Sequence, residues 1–442
     1  MKYVIIGGDA AGMSAAMQIV RAKQNHDITV LERGEIYSYG QCGLPYTISG
    51  IVDEPEDVIA RSVETFRNKY GINAKINHNV TNVDQDNKEV HGTITTTGEP
   101  FKYEYDKLLI ASGASPVNPN WDGIDLSGIF HVKTIPDTKD ILSYLKKDVK
   151  NVTIVGGGYI GLEMAENFKE IGKNVTIIQR GHQLMSPFDS DMAKLIHNEA
   201  EKQNINVVFG ESVTGFSGIE KVEKVITDQN EYPTDLAIVS IGIKPNTQFL
   251  NDEFEFGEIG ELIVNEYMQT NVKDVYAAGD CASQFNKVKQ KNDYVPLGTH
   301  ANKQGMIAGQ NLAGESVTFK GMTGTSILKF LDLQIGRTGL SEKEANDLSL
   351  NYDSVTITTR PVAGYYSDEE TLTVKLVFEK ETKHLLGGQI IGHKGVDKRI
   401  DVLATALFHN MTTVALLDLD LSYAPPFNGV WDPIQQAAKR TL

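Results

Sequence analysis

The chain has 442 residues, 40% of them hydrophobic, enough apolar material for about three domains with cores of their own. Its formal net charge is −16 with no acidic or basic block, which argues against a nucleic-acid or anionic-membrane partner. Two cysteines, Cys42 and Cys281, are too few for a disulfide framework, and such sparing use fits a reducing cytoplasm.

The opening apolar run ends at Asp9, too early for a signal peptide, and no stretch reads as a membrane span. Residues 3–6 (YVII) read as a short buried parallel strand. GGDAAG follows, then a helix over 13–22 and a strand at 28–31. Cys42 stands in YSYGQCGLPY, where Pro45 can open a helix that ends near Gly50. A buried strand at 108–111 ends at Ser112-Gly113. The β-α-β pattern then returns: strand 152–155, GGGYIG, helix 162–170, strand 175–178. Further strands at 236–241 and 275–277 end at Gly242 and Gly279-Asp280. Past Gly321 the texture changes to alternating strands at 354–358, 371–378 and 386–391, then a helix over 398–409. The pattern predicts an α/β chain with two Rossmann-like dinucleotide-binding domains and an α+β tail.

Gly156, Gly158 and Gly161 fill all three places of G-x-G-x-x-G between a strand and a helix. The first makes the turn, the second admits a pyrophosphate, and the third lets helix pack on strand. The first motif keeps Gly7 and Gly12 but has Asp9 in the middle, so an ordinary βα turn stays open there. Glu32 ends the next strand, where a carboxylate would accept from an adenosine ribose. Asp280, beside a glycine at a sheet edge, suits a ribityl hydroxyl; capping the next helix is the plainer alternative. A thiol at a helix N-terminus is stabilised as thiolate. A lone cysteine is more often a small buried hydrophobe. The position of Cys42 just beyond Glu32 favours the redox reading, and Cys281 reads as structural.

Together these motifs resemble the pyridine nucleotide-disulfide oxidoreductase family over essentially the whole chain. Gly7, Gly12 and Glu32 resemble its FAD fingerprint, Ala111-Ser112-Gly113 its A-T-G motif, and Thr270 through Asp280 its second FAD motif. Gly242 and Pro245-Asn246-Thr247 resemble the segment that ends the nicotinamide domain. The resemblance implies a discontinuous FAD-binding domain (1–114 and 246–320), an NAD(P)-binding domain (115–245) and a dimerisation domain (321–442). It implies FAD and NADPH or NADH as cofactors, and a homodimer that shares its active site between subunits.

Within that family, many members carry two cysteines five positions apart, whereas position 47 here is Thr. The chain therefore resembles the single-cysteine branch of NADH oxidases, NADH peroxidases and coenzyme A-disulfide reductases. Oxidases and peroxidases typically hold a histidine where Ala10 stands, so the resemblance favours coenzyme A disulfide as substrate. An oxidase or peroxidase, or a coenzyme A-persulfide or polysulfide reductase, is the alternative. By the same resemblance Cys42 is the redox thiol, flanked by Tyr365 and Tyr423 of the partner subunit. Tyr366 is a substitute for Tyr365, and tyrosines that only pack at a dimer interface are the plainer reading. Ser14, Gln18, Arg21, Ser38, Gln41 and Lys69 would contact coenzyme A, although Lys69 reads almost as well as an ordinary surface cation. Tyr159 would cover the flavin and Glu163 would lie near the nicotinamide. No metal site is expected. NADH-specific relatives place an acidic residue where Gln179 stands. With Arg180 beside it, the nicotinamide preference leans to NADPH.

Overall fold

A computed structural model describes residues 1–22, 27–366 and 370–442. Two parallel sheets repeat one plan. In the first, Lys2–Ile6 lies between Asp27–Leu31 and Lys107–Ile110, with Asn73–Lys75 and Val275–Ala277 at the edges. In the second, Asn151–Val155 lies between Asn174–Gln179 and Leu236–Val239, with Asn206–Phe209 and Ile129–Phe130 at the edges. Both central strands are apolar runs, as expected where both faces of a parallel sheet are covered. In each unit a three-stranded antiparallel meander, starting at His78–Asp84 in one case and Val213–Ser217 in the other, comes in the chain just before the strand Lys107–Ile110 or Leu236–Val239 that pairs with the central one.

The helices behind the two glycine turns run from Ala10 to Arg21 and from Tyr159 to Glu170. Both begin three residues before the spacing predicts. A glycine inside a helix reads as a breaker, but here the third motif glycine sits within the first turn and permits close packing. The expected strand at 236–241 is shorter, Leu236–Val239, and Ser240 just beyond it donates both its N–H and its hydroxyl to the Val155 carbonyl.

The tail is a five-stranded antiparallel sheet in the order Ser326–Phe330, Leu333–Gly339, Leu385–Gly392, Leu372–Glu379, Tyr352–Thr359. Its helices Val396–Phe408 and Pro433–Lys439 pack through Ile400, Leu403, Ile434 and Ala437. The first hairpin escapes sequence reading because its turn carries Leu331 at φ 56° rather than a glycine or asparagine. The buried Glu166 carboxylate accepts the Leu331 N–H at 2.9 Å and holds that turn.

The helix Gly298–Leu312 lies against Ala10–Arg21 with backbones in contact. A side chain on Gly305 would begin 2.2 Å from the Ala11 carbonyl oxygen, and one on Gly309 2.5 Å from that of Ala15. Forcing a side chain against backbone costs about 1–3 kcal/mol or more. Gly305→Val should therefore lower the melting temperature by several degrees. Differential scanning fluorimetry checks this, and an unchanged melting temperature would contradict the contact.

Candidate active site

Both glycine turns open on one cleft of about 2750 Å³, several times the roughly 300–1,000 Å³ of an ordinary ligand pocket. Gly7 and Gly156 take φ of 112° and 104°, and a side chain on Gly12 or Gly161 would begin 2.0 Å from the carbonyl oxygen of the first glycine. Neither helix start has a side-chain cap, at Asp9 or at Gly158, so the first N–H groups remain available to a phosphate. The Glu32 carboxylate accepts from the Gly8 N–H at 2.9 Å and the Gly34 N–H at 2.8 Å. Gln179 accepts from the Gly157 N–H at 2.9 Å, the same contact one unit later. These residues fit a dinucleotide at each turn. Arg180 is exposed on the cleft wall beside Gln179.

Ser112-Gly113 sits where the chain crosses between the two sheets. The Ser112 hydroxyl donates to the Asn246 carbonyl at 2.6 Å, and Asn246 Nδ2 donates to the Ser112 carbonyl at 2.9 Å. Asp280 lines the cleft with Gly279. The next helix starts only at Gly298, so Asp280 caps nothing.

Cys42 lies in a single 3-10 turn, Gln41–Gly43, ahead of the four-residue helix Pro45–Ile48, exposed on the cleft wall. The expectation of a thiolate stabilised by a helix N-terminus is corrected here. Partial burial raises the Cys42 thiol, the Glu163 carboxylate raises it further, and the Lys133 ammonium pulls it down. A helix of one turn has too small a dipole to offset the loss of water. Glu163 lines the same wall. Burial, helped by Glu166, pushes its carboxyl up to about 7. Tyr159 shares a hydrogen bond with the Ser326 hydroxyl at 2.6 Å and also lines the cleft.

The cleft thus brings together Gly7, Glu32, Gln41, Cys42, Gly113, Ser112, Gly156, Gly158, Tyr159, Glu163, Gln179, Arg180 and Asp280. Gly12 and Gly161 stand just behind their turns. Ser14, Gln18, Arg21, Ser38 and Lys69 lie outside its lining. The Ser14 hydroxyl donates to Asn302 Oδ1 at 2.8 Å, and Lys69 sits 5.5 Å from the Tyr70 ring centre. Tyr365 and Tyr423 also lie outside the cleft lining that holds Cys42. They share a hydrogen bond at 3.0 Å with each other, and both are exposed, as is Tyr366.

Two cleft residues escaped sequence reading. Lys133 Nζ lies 3.4 Å from Asp280 Oδ2. The capping box at Thr134 and Asp137 marks its local position, but nothing local shows that it crosses to the first unit. Asp9 counts only as a departure from a motif, yet its side chain grips the thiol loop. Burial pushes its carboxyl up to about 6, against hydrogen bonds from Gln41 and Tyr39 that pull it down.

Two dinucleotide turns on one cleft, with a thiol between them, define a thiol-bearing oxidoreductase of the two-dinucleotide type. The chain belongs to the pyridine nucleotide-disulphide oxidoreductase family. That family's model matches residues 1–305, and its dimerisation-domain model matches residues 325–433. The family depends on FAD and NAD(P)H. A relative from Pyrococcus abyssi, named NAD(P)H sulfur oxidoreductase (CoA-dependent), is 42% identical over 99% of this chain and 97% of its own. Coenzyme A disulfide reductase of Staphylococcus epidermidis is 32% identical over 97% and 96%. The solved structure of reduced Bacillus anthracis CoADR-RHD superposes with a TM-score of 0.95 at 32% identity, covering 100% of this chain and 80% of that one. An engineered water-forming NADPH oxidase bound to NADPH, made from a Lactobacillus brevis enzyme, gives a TM-score of 0.96 at 30% identity, covering 100% and 98%. The fold is therefore α/β, with two Rossmann-like units and an α+β dimerisation domain. Among the described residues no helix is long and apolar enough to cross a membrane.

Because the Glu163 carboxylate opposes the Cys42 thiolate, Glu163→Gln should move the pH midpoint of Cys42 alkylation downward and speed alkylation at neutral pH. Iodoacetamide trapping with mass readout over pH 5–10 checks this. A midpoint that stays or rises would show that Glu163 does not govern the thiol.

Proposed function

We propose that this chain reduces coenzyme A disulfide to two coenzyme A thiols with electrons from NAD(P)H, through Cys42 alone. The isolation of Cys42 carries the reading. Thr47, five positions on, is buried with its hydroxyl on the Leu44 carbonyl at 2.7 Å. Cys281 is buried, its thiol on the carbonyls of Ile110 and Ala278. A thiol in a redox cleft with no protein partner suits a substrate that brings the disulfide partner itself. Relatives named for coenzyme A support that choice of substrate.

Gly7, Gly12, Glu32, Ser112, Gly113 and Asp280 would hold FAD at the first turn, where it would supply a two-electron relay from nicotinamide to sulfur. The chain's own residues do the rest. The Cys42 thiolate attacks one sulfur of the substrate disulfide. The substrate S–S bond breaks, one coenzyme A leaves as thiolate and takes a proton, and a Cys42–coenzyme A disulfide remains. Two electrons from NAD(P)H cleave this second bond, return Cys42 as thiolate and release the other coenzyme A as thiolate, which takes a second proton. Tyr423, paired with Tyr365 and brought from the partner subunit of a homodimer, would protonate the leaving sulfur; Tyr366 is the substitute for Tyr365. Tyr159 would shield the flavin, and Glu163 would stand at the nicotinamide. Arg21 and Lys69 would meet phosphates of coenzyme A, with Ser14, Gln18, Ser38 and Gln41 as polar contacts.

The neutral Gln179 and the exposed Arg180 support a preference for NADPH. The engineered NADPH oxidase carries an aspartate exchanged for alanine and the next residue for arginine, the same order of neutral then cationic. A second reading, reduction of a coenzyme A persulfide, is favoured by the Pyrococcus relative named for sulfur. It uses the same thiol.

Cys42→Ser should lower turnover of coenzyme A disulfide by about 10³-fold or more, as loss of a nucleophile does. Intact-mass measurement of purified protein should find a coenzyme A adduct on Cys42. Full disulfide turnover by the serine variant would sink the lone-thiol reading, and turnover of the persulfide alone would select the second. Arg180→Glu should lower kcat/KM for NADPH by about tenfold or more while sparing NADH; equal loss with both would remove the assignment.

A further inference from the structure

Asp9 holds the middle place of the first glycine turn, where Gly158 stands in the second. It is also the N-cap of the helix Ala10–Arg21, where an aspartate ordinarily accepts from the first helical N–H groups. It makes no such bond. Both carboxylate oxygens face the other way. Oδ1 accepts from the Tyr39 N–H at 3.1 Å, and Oδ2 accepts from Gln41 Nε2 at 2.8 Å. A carboxylate here forgoes helix capping and opposes the negative charge that such a turn collects. The dinucleotide side of the turn therefore gives no reason for it; the thiol side does.

The thiol loop has other anchors. The Ser38 N–H donates to the Gly8 carbonyl at 3.0 Å, the Ala60 N–H to the Ser38 carbonyl at 2.8 Å, and the Gly40 N–H to the Val58 carbonyl at 2.8 Å. These hold the main chain before the thiol whatever stands at position 9. The Gln41 amide, adjacent to Cys42 and facing the cleft, hydrogen-bonds to Asp9.

We propose, on the reading of Cys42 as the substrate-facing thiol, that Asp9 is a positioning residue: its carboxylate, freed from helix capping, fixes Tyr39 and Gln41 so that the loop presents the Gln41 amide and the Cys42 thiol to the incoming disulfide. A single side chain thereby ties the cofactor turn to the substrate loop. At the second turn Gly158 has no side chain with which to make such a tie.

The test compares FAD-loaded wild type with Asp9→Gly, Asp9→Asn and Gln41→Ala. In Asp9→Gly, hydrogen exchange of the Tyr39 amide should rise about tenfold or more, the factor carried by one charge-assisted hydrogen bond. KM for coenzyme A disulfide should rise by a similar factor, with kcat within about threefold. Asp9→Asn should restore exchange and KM to within about threefold, because its oxygen accepts from Tyr39 and its amide donates to Gln41 Oε1. Gln41→Ala should raise KM as Asp9→Gly does, and the double variant should raise it no further. Unchanged exchange in Asp9→Gly overturns the proposal, as does an Asn variant as loose as the Gly variant. Faster exchange with an unmoved KM overturns the substrate-facing part. If wild type turns over no coenzyme A disulfide, the proposed function fails while the exchange comparison still decides whether Asp9 holds the loop.

Discussion

The carbonyl oxygen of Gly7 lies 2.0 Å from where a side chain on Gly12 would begin, and that of Gly156 stands in the same relation to Gly161. This contact lets each helix start directly over the end of its strand. The unpaired N–H groups of the helix start are then delivered to the carboxyl edge of the sheet, where a phosphate can use them. Every other feature of the cleft is arranged around these two starts. Glu32 and Gln179 brace the turns through the same N–H contact, one with a charged group and one with a neutral group. That difference bears on which nucleotide each turn takes.

The helix Tyr159–Glu170 connects the parts. Its first residue shares a hydrogen bond with Ser326 of the tail sheet. Two turns on, Glu166 binds Lys329 and the Leu331 N–H of the same hairpin. Asn167 then meets Ser49, just past the thiol helix. A buried carboxylate without partners would be costly, so Glu166 fixes how the tail hairpin docks. One helix thus carries the second glycine turn, touches the thiol segment and seats the dimerisation sheet.

Around Cys42 the surroundings disfavour the thiolate: burial contributes most, and the neighbouring charges pull in both directions. Glu163 and Asp280 disfavour the thiolate and Lys133 favours it. All three charged neighbours line the cleft. Charge carried by a bound cofactor or substrate therefore acts directly on this balance, because low-dielectric walls screen little.

Much of this was legible in the sequence. The duplicated strand-turn-helix units, the α/β class and the antiparallel tail follow from hydrophobic period and glycine spacing, which are local properties. The absence of a partner for Cys42 also follows, from Thr47 and the cysteine count. The meanders at 78–104 and 213–233 were not legible, since their strands are short and largely polar. Lys133 and the aim of the Asp9 side chain were not legible either. Lys133 reaches Asp280 across 147 positions of sequence, and Asp9 reaches Gln41 across 32. The sequence by itself determined which residues could carry the chemistry, because residue type and spacing decide turn geometry and the supply of thiols. Only the tertiary structure decided how Cys42 titrates and what Asp9 holds, because burial and charge contacts between distant segments exist only once the chain has folded.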